Sequence, residues 1–340
     1  MMKRWIGCAT ALGLVAAAGC GSSGDAASTG TGGSSSSGAG GGQGGASSSS
    51  SSSGSTSSSG AGGGSAAIEH VFLILMENHN WGDIKGSASA PYLNGTLLPM
   101  GGHAEQYFNP KGNHPSEPNY LWLEAGTNFG IKDDSDPATN HQSTKQHLVT
   151  LLEAAGHTWK SYQEDIPGTD CPLKGVKNYA PKHNPMVFFD DVTGTNDAAS
   201  ANCIAKVRPY TELATDLAAD TVPNYAFITP NLCNDGHNSC PPTSDQIKQS
   251  DDWLAKEVKP ILLSNAYKKG VVIITWDESE LGDFPIGWIV LSPFAKAGYS
   301  NSTKYTHSST LRSVQEIFGV SPLLGDAANA TDLKDFFTTF

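Results

Sequence analysis

Basic residues are scarce in this sequence. It holds 21 Lys and Arg against 33 Asp and Glu, a formal net charge of −12, and shows no basic cluster. That excludes the positive stripe by which a protein tracks nucleic-acid phosphates, so no nucleic-acid partner is expected. An anionic small molecule would be met by local charge, a bound cation included, and not by a global field. Long apolar runs are lacking too. Ile6–Ala18 is uncharged and mostly apolar but falls short of the roughly 20 residues of a spanning helix. Cysteine is rare, six in 340 residues, and no pair stands in Cys-x-x-Cys spacing, which argues against a thiolate metal site. No internal repeat is visible.

What is present begins with a targeting pattern. Lys3 and Arg4 precede the short apolar stretch, which ends in Ala17-Ala18-Gly19-Cys20. Residues 1–20 are therefore expected to be a secretory signal with a lipobox, and Cys20 the acylated mature N-terminus; simple cleavage and release is the alternative. Gly21 follows, with no aspartate to favour the inner membrane. The expected location is the outer membrane or cell surface, through a lipid anchor on Cys20, otherwise the periplasm or the medium. Residues 21–66 are almost wholly Gly, Ser, Ala and Thr. Such a tract buries nothing and reads as a disordered linker. Residues 67–340 remain, long enough for one well-cored domain, with 19 basic and 32 acidic residues, net −13. Its four cysteines form an even set in an exported chain, so disulfides are expected. Cys171–Cys203 and Cys233–Cys240 is the favoured pairing, because each closes a local loop.

The domain alternates apolar runs with helical periodicity. Strands are expected at Ile68–Met76, His157–Gln163, Asn224–Thr229, Gly270–Thr275 and Gly287–Leu291. Helices are expected from Ser143 to Ala155 behind a Ser143/Gln146 capping box, and at Pro209–Ala219, Asp245–Tyr267 and Ser308–Phe318. This alternation predicts an α/β fold, a mostly parallel central sheet with helices on both faces. Residues 166–207, rich in Pro, Asn, Asp and Gly, read as a long excursion carrying one disulfide.

Two of the apolar strands end in acid. Glu77, Asn78 and His79 follow Ile68–Met76, and Asp277 and Glu278 end the run Gly270–Glu278. Open α/β sheets hold ligands at their carboxyl edge, so this pair suggests a shared cation. A third segment, Asn113-His-Pro-Ser-Glu-Pro-Asn-Tyr120, makes Ser116 a helix N-cap, with Pro118 in the first turn and Gly126 as C-cap. A helix N-terminus favours an anion beside that serine. Asn119, one turn on, would aim its amide at a phosphate oxygen. Asp235 and His237 lie inside the loop that Cys233–Cys240 would stiffen, and His183 and His307 stand near proline and helix boundaries. His70, His141, His147 and His157 fit ordinary hydrogen-bonded or surface roles.

These motifs carry a resemblance. Met-Glu-Asn-His (76–79), His-Pro-Ser-x-Pro-Asn-Tyr (114–120), Lys-His-Asn-Pro (182–185), Pro-Asn-Leu-Cys-Asn-Asp-x-His (230–237), Thr-Trp-Asp-Glu (275–278) and Tyr-Thr-His-Ser (305–308) resemble, in order, those of the phosphoesterase family. That family holds bacterial acid phosphatases and phosphocholine-type phospholipases C, and is related to the alkaline-phosphatase-like fold. The resemblance implies Ser116 as nucleophile, with His183 and His237 assisting. It implies Glu77, Asn78, Ser116, Asp277 and Glu278 at metal-binding positions. Asp235, His237, His307 and Asn119 would surround the phosphate or hold a second metal. Gly236 stands where a bulkier residue, often methionine, is usual, so a more mobile loop is expected.

Elementary chemistry agrees. Phosphate-ester hydrolysis needs positive charge on the phosphoryl oxygens and an aligned nucleophile. An all-oxygen ligand set favours Ca²⁺, Mg²⁺ or Mn²⁺, whereas the Asp/His set would suit Zn²⁺. The expected substrate is a small phosphate ester or a phospholipid head group. The leading expectation is an exported acid phosphatase acting through phosphoserine. A phospholipase C is the second, and a non-catalytic surface binding lipoprotein the third.

Overall fold

The computed structural model describes residues Ile68–Phe340; the expected signal peptide, the acylated Cys20 and the Gly/Ser linker lie outside the described residues. Eight strands form one sheet: β1 (His70–Met76), β2 (Gly102–Phe108), β3 (Trp159–Gln163), β4 (Val207–Pro209), β5 (Tyr225–Thr229), β6 (Gly270–Trp276), β7 (Trp288–Leu291) and β8 (Tyr299–Thr306). Their order is β4-β3-β5-β1-β6-β7-β2-β8. Only β7 is antiparallel to its neighbours, β6 and β2; the other pairings are parallel. The expected α/β class with a mostly parallel sheet is the one observed.

Burial explains why β1 and β6 sit at the centre. Val71 through Met76 are each at most 1% exposed, and every residue of β6 is buried. Successive strand side chains point to opposite faces, so uninterrupted burial means that both faces are covered. The covering helices form two packed groups. Ser116–Ala125 packs with Leu148–Ala154 and His307–Phe318, and Glu212–Ala219 packs with Gln246–Leu262. Among the described residues no helix is long and apolar enough to cross a membrane. Both expected disulfides form, Cys171–Cys203 and Cys233–Cys240.

Several local expectations are corrected. The Ser143/Gln146 capping box does not form; Thr144 Oγ1 accepts from the Gln146 amide instead, at 3.1 Å. The helix opens only at Leu148, because His147 is drawn inward, stacked 3.8 Å from Phe189 and bonded to Asp191 at 2.9 Å. Pro209 ends β4 and does not open a helix; the next helix starts at Glu212. The helix after Asp245 stops at Leu262, and a 3₁₀ turn covers Ala266–Lys269. The excursion over 166–207 is folded locally into short helical turns, including Pro181–His183, before it delivers β4. Strands β2, β4 and β8 carry no apolar run, and their pairing rests on backbone hydrogen bonds.

Two glycines test how tightly the helix ends are seated. Gly126 closes the Ser116 helix at φ +67°, donates to Trp122 O at 2.8 Å, and would bring a Cβ within 2.3 Å of Leu324 O. Gly319 closes the last helix at φ +63° with open space around it. Gly319→Ala should cost about 1 kcal/mol, the left-handed backbone penalty. Gly126→Ala adds a backbone clash and should cost roughly 3 kcal/mol or more. Thermal melts of the two variants, compared with the parent, check the order; equal losses would mean that the Leu324 contact yields easily.

Candidate active site

The site is built at the carboxyl ends of three adjacent strands. β1 and β6 pair in register to Met76 opposite Trp276, so the next residues, Glu77 and Asp277, are neighbours. The Asp277 amide donates to Met76 O at 3.0 Å, and the Asn78 amide donates to Asp277 Oδ1 at 3.1 Å. On the other side of β1, the loop after β5 is tied in where the Glu77 amide donates to Asp235 O at 2.9 Å. Glu77, Asp235 and Asp277 are each 0% exposed.

The Ser116 helix crosses this edge. Ser116 is its first residue and Pro115 its N-cap, so the expectation of Ser116 as N-cap is one residue late. The Ser116 side chain caps no helix amide. It donates to Glu77 Oε2 at 3.2 Å. One turn later Tyr120 donates its hydroxyl to Glu77 Oε1 at 2.5 Å. Residues four apart lie on one helix face, so this face presents two hydroxyls to one carboxylate. Asn119 does something other than expected. Its amide nitrogen bonds Asn113 O at 2.9 Å and Pro115 O at 3.1 Å, and its oxygen accepts from Asn113 at 2.8 Å. Both ends of the amide hold the loop that leads into Ser116, which leaves no free end for a phosphate.

His183 fills the gap between two acids. Its Nε2 lies 3.2 Å from Glu77 Oε1 and its Nδ1 3.3 Å from Asp235 Oδ2, and its ring stacks on Tyr120 at 5.0 Å. His237 donates its backbone amide to Asp235 Oδ1 at 2.8 Å, and its ring lies 5.6 Å from that of His183. Lys182 Nζ reaches His237 Nε2 at 3.3 Å and Asp134 Oδ2 at 2.9 Å. His307 stands behind the cluster. Its Nε2 donates to Asp277 O at 2.5 Å and its Nδ1 accepts from Tyr107 at 3.2 Å. With both nitrogens engaged it supports Asp277 and neither ligates a cation nor meets phosphate, a correction to its expected place. Glu278 is likewise turned to protein donors, Asn78 Nδ2 at 2.8 Å and His114. It orients Asn78.

Electrostatics say what this arrangement lacks. Burial, then the neighbouring acids, pushes the Glu77, Asp235 and Asp277 carboxyls well above their usual range. Burial raises Glu278 to about 7 and lowers His183 well below the ordinary imidazole range. Three dehydrated carboxylates therefore crowd one edge. Asn78 Oδ1, Asp235 Oδ2 and Asp277 Oδ2 are buried without a hydrogen-bond partner. Orphaned buried acceptors are costly unless something positive meets them. Glu77, His183 and His237 each also bring one ligand atom within 4.8 Å of the others. The cluster fits a metal ion.

Tyr120, Lys182, His114 and Asp134 were not assigned roles from sequence. Tyr120 was within reach, since it stands four residues after Ser116 inside the same motif; Lys182 and Asp134 meet only through tertiary contacts. Gly236 reverses an expectation. It sits at φ +103°, and a Cβ there would lie 2.8 Å from Ser250 Oγ and 3.3 Å from His79. The glycine permits a close approach, so the expected looser loop is not what its surroundings describe.

Comparison with known proteins agrees with this geometry. The phosphoesterase family model matches residues 100–285, more than half of the chain and all the site segments except those around Glu77 and His307. A phosphate-repressible acid phosphatase of Penicillium chrysogenum is 32% identical over 227 residues, 63% of this chain and 51% of that protein. The chain thus spans about half the length of that relative. A phosphatidylinositol-3-phosphatase of Mycobacterium tuberculosis is 29% identical over 269 residues, 79% of this chain and 82% of that one. Among solved structures, an alkaline phosphatase superfamily protein from Vibrio parahaemolyticus shares the fold, with a TM-score of 0.52 at 11% identity over 79% of this chain and 72% of that one.

The Cys233–Cys240 bridge closes the loop that seats Asp235 and His237. Its removal should act by position more than by stability, since a displacement of ~1 Å at a reacting group can cost roughly a hundredfold in rate. Cys233→Ser/Cys240→Ser should therefore melt within a few degrees of the parent yet turn over p-nitrophenyl phosphate at least about tenfold more slowly. Equal kcat/KM in the two proteins would show that the loop is held without the bridge.

Proposed function

The chain belongs to the phosphoesterase family, and we propose that it is an exported, metal-dependent phosphomonoesterase of the acid phosphatase type with Ser116 as nucleophile. The observation that carries the proposal is the place of Ser116. A lone hydroxyl opens a helix, is 2% exposed, caps nothing, and donates to a carboxylate at the end of an interior strand. A helix N-terminus facing the same edge favours the phosphate dianion. Attack by Ser116 Oγ forms the Oγ–P bond as the ester P–O bond breaks. The Ser116 proton leaves toward Glu77 Oε2, and the departing alkoxide takes its proton from water. Water then cleaves Oγ–P, releasing phosphate and restoring the serine hydroxyl.

A divalent ion, when bound, would supply positive charge against the phosphoryl oxygens. Glu77, Asn78, Ser116 and Asp277 would hold it, and their oxygen-only chemistry suits Ca²⁺, Mg²⁺ or Mn²⁺. Substrates are small phosphate monoesters; the name of the mycobacterial relative adds a lipid phosphomonoester to the candidates. Two disulfides support export to an oxidising compartment, and we place the chain on a lipid anchor at Cys20. Radiolabelled palmitate should label the parent and not Cys20→Ala; labelling of neither, with unchanged membrane partition, would mean release as a soluble enzyme.

Ser116→Ala should fold and keep metal while losing at least about a thousandfold in kcat. Asp277→Ala should lose metal as well as rate. If water attacks phosphorus directly, Ser116→Ala would leave turnover nearly intact, and a chiral phosphate ester would be hydrolysed with inversion instead of retention. p-Nitrophenyl phosphate should be a better substrate than p-nitrophenylphosphorylcholine; the reverse order would identify a phospholipase C. No turnover of either ester with Ca²⁺, Mg²⁺, Mn²⁺ or Zn²⁺ would identify a binding lipoprotein.

A further inference from the structure

Lys182 is the one lysine or arginine, among the described residues, whose charged group contacts the cluster. It stands on the Pro181–His183 turn, next to the histidine wedged between Glu77 and Asp235. We propose that Lys182 binds the substrate phosphate directly and supplies the fixed charge that favours a monoester dianion over a diester, with Asp134 as its positioning residue. This deepens the phosphoesterase reading and rests on it.

Three observations converge. The first is placement. Asp134 Oδ2 holds Lys182 Nζ at 2.9 Å, while Asp134 Oδ1 accepts from the Glu117 amide at 3.0 Å. Glu117 follows Ser116 directly, so a single carboxylate fixes the ammonium relative to the nucleophile's helix. The second is valence. An ammonium has three N–H donors; one goes to Asp134 and one to His237 Nε2 at 3.3 Å. One donor remains, on a side chain that is still 19% exposed. The third is competition. While Nδ1 is engaged with Asn238 Oδ1 at 2.9 Å, the Lys182 ammonium competes for the Nε2 lone pair that His237 would offer to a cation shared with Glu77 and His183. The ammonium therefore stands where a second cation would need its ligand, and takes over that part of the charge. A monoester dianion carries one more negative charge than a diester, so a fixed point charge at this face acts mainly on the monoester.

The experiment compares the parent with Lys182→Met, Lys182→Arg and Asp134→Asn on p-nitrophenyl phosphate and on bis(p-nitrophenyl) phosphate, with inorganic phosphate as inhibitor. Lys182→Met should lose about a hundredfold in kcat/KM on the monoester, less than about tenfold on the diester, and raise the phosphate Ki about tenfold or more. Lys182→Arg should recover part of the monoester rate. Asp134→Asn keeps an acceptor for the Glu117 amide but not the ion pair, and should raise KM for the monoester more than it lowers kcat. If Lys182 merely balances the buried acids, Lys182→Met would melt differently, bind metal more tightly, and leave both Ki and the monoester-to-diester ratio unchanged; that result overturns the inference. Should Lys182→Met fail to fold, an Asp134→Asn variant with parental ratio and Ki would overturn it equally. A parent that hydrolyses neither ester would sink the phosphoesterase reading alone, because calorimetric binding of inorganic phosphate to parent and Lys182→Met still decides whether the lysine meets the anion.

Discussion

The constraint on which the rest depends is the placing of carboxylates at the ends of strands that cannot be wetted. β1 and β6 are packed on both faces, and their register leaves Glu77 beside Asp277 at the first point where the chain can turn. Burying an uncompensated carboxylate costs several kcal/mol, so donors must converge on this edge. They come from separate parts of the chain, Ser116 and Tyr120 from one helix face and the Asn78 amide from β1's own turn, while the His183 ring lies 3.2 Å from Glu77 Oε1 without bonding it. The donors meet some of the acceptor capacity, but the orphaned oxygens of Asn78, Asp235 and Asp277 exceed it. The fold thus holds back from neutralising its own centre, and that deficit is what a cation and an anionic substrate would share.

A second layer keeps the donors where they are. Thr229 Oγ1 donates to His183 O at 3.0 Å and accepts from Gln163 at 3.0 Å, so the ends of β3 and β5 fix the backbone of the histidine. Asn184 bridges Ser161 and Tyr179, and Asn119 ties Asn113 to Pro115. In each case a neutral amide, which can donate and accept at once, locks an irregular segment. Loops that carry reacting groups need such support, because displacement by about an ångström is expensive in rate.

What was legible in the sequence follows from the same physics. An interior parallel strand must be apolar throughout, so β1, β5 and β6 announce themselves, and the acids that end two of them are conspicuous by contrast. β8 reads Tyr-Ser-Asn-Ser-Thr-Lys-Tyr-Thr and is largely exposed; an edge strand pairs through its backbone and leaves no apolar signature. The helix at Ser116 was legible from Pro118 and Gly126, whereas a role for its first side chain came from the resemblance and not from spacing. A cap and a nucleophile share a residue type and a position, and the partner found here, Glu77 Oε2 in place of a helix amide, speaks only against the cap. Glu278 and His307 show the opposite limit. Their motif positions are adjacent to the reacting groups, yet hydrogen bonds to Asn78, His114, Tyr107 and Asp277 O turn their donors and acceptors inward.

Gly236 brings these points together. A glycine inside a candidate catalytic loop is easily read as slack, because it removes a side chain and frees the backbone. Here the missing Cβ is what allows contact: Ser250 Oγ, His79 Cδ2 and Glu77 O stand 2.8, 3.3 and 3.4 Å from where it would be. The backbone just before it, Asp235 O, accepts from the Glu77 amide at 2.9 Å. A side chain at 236 would therefore separate the loop from the end of β1, drawing Asp235 away from His183. Conformational freedom in the unfolded chain and tightness in the folded one come from the same absent atom. The φ of +103° shows that the loop draws on that freedom to close on Glu77, the residue at which Ser116, Tyr120 and His183 all meet.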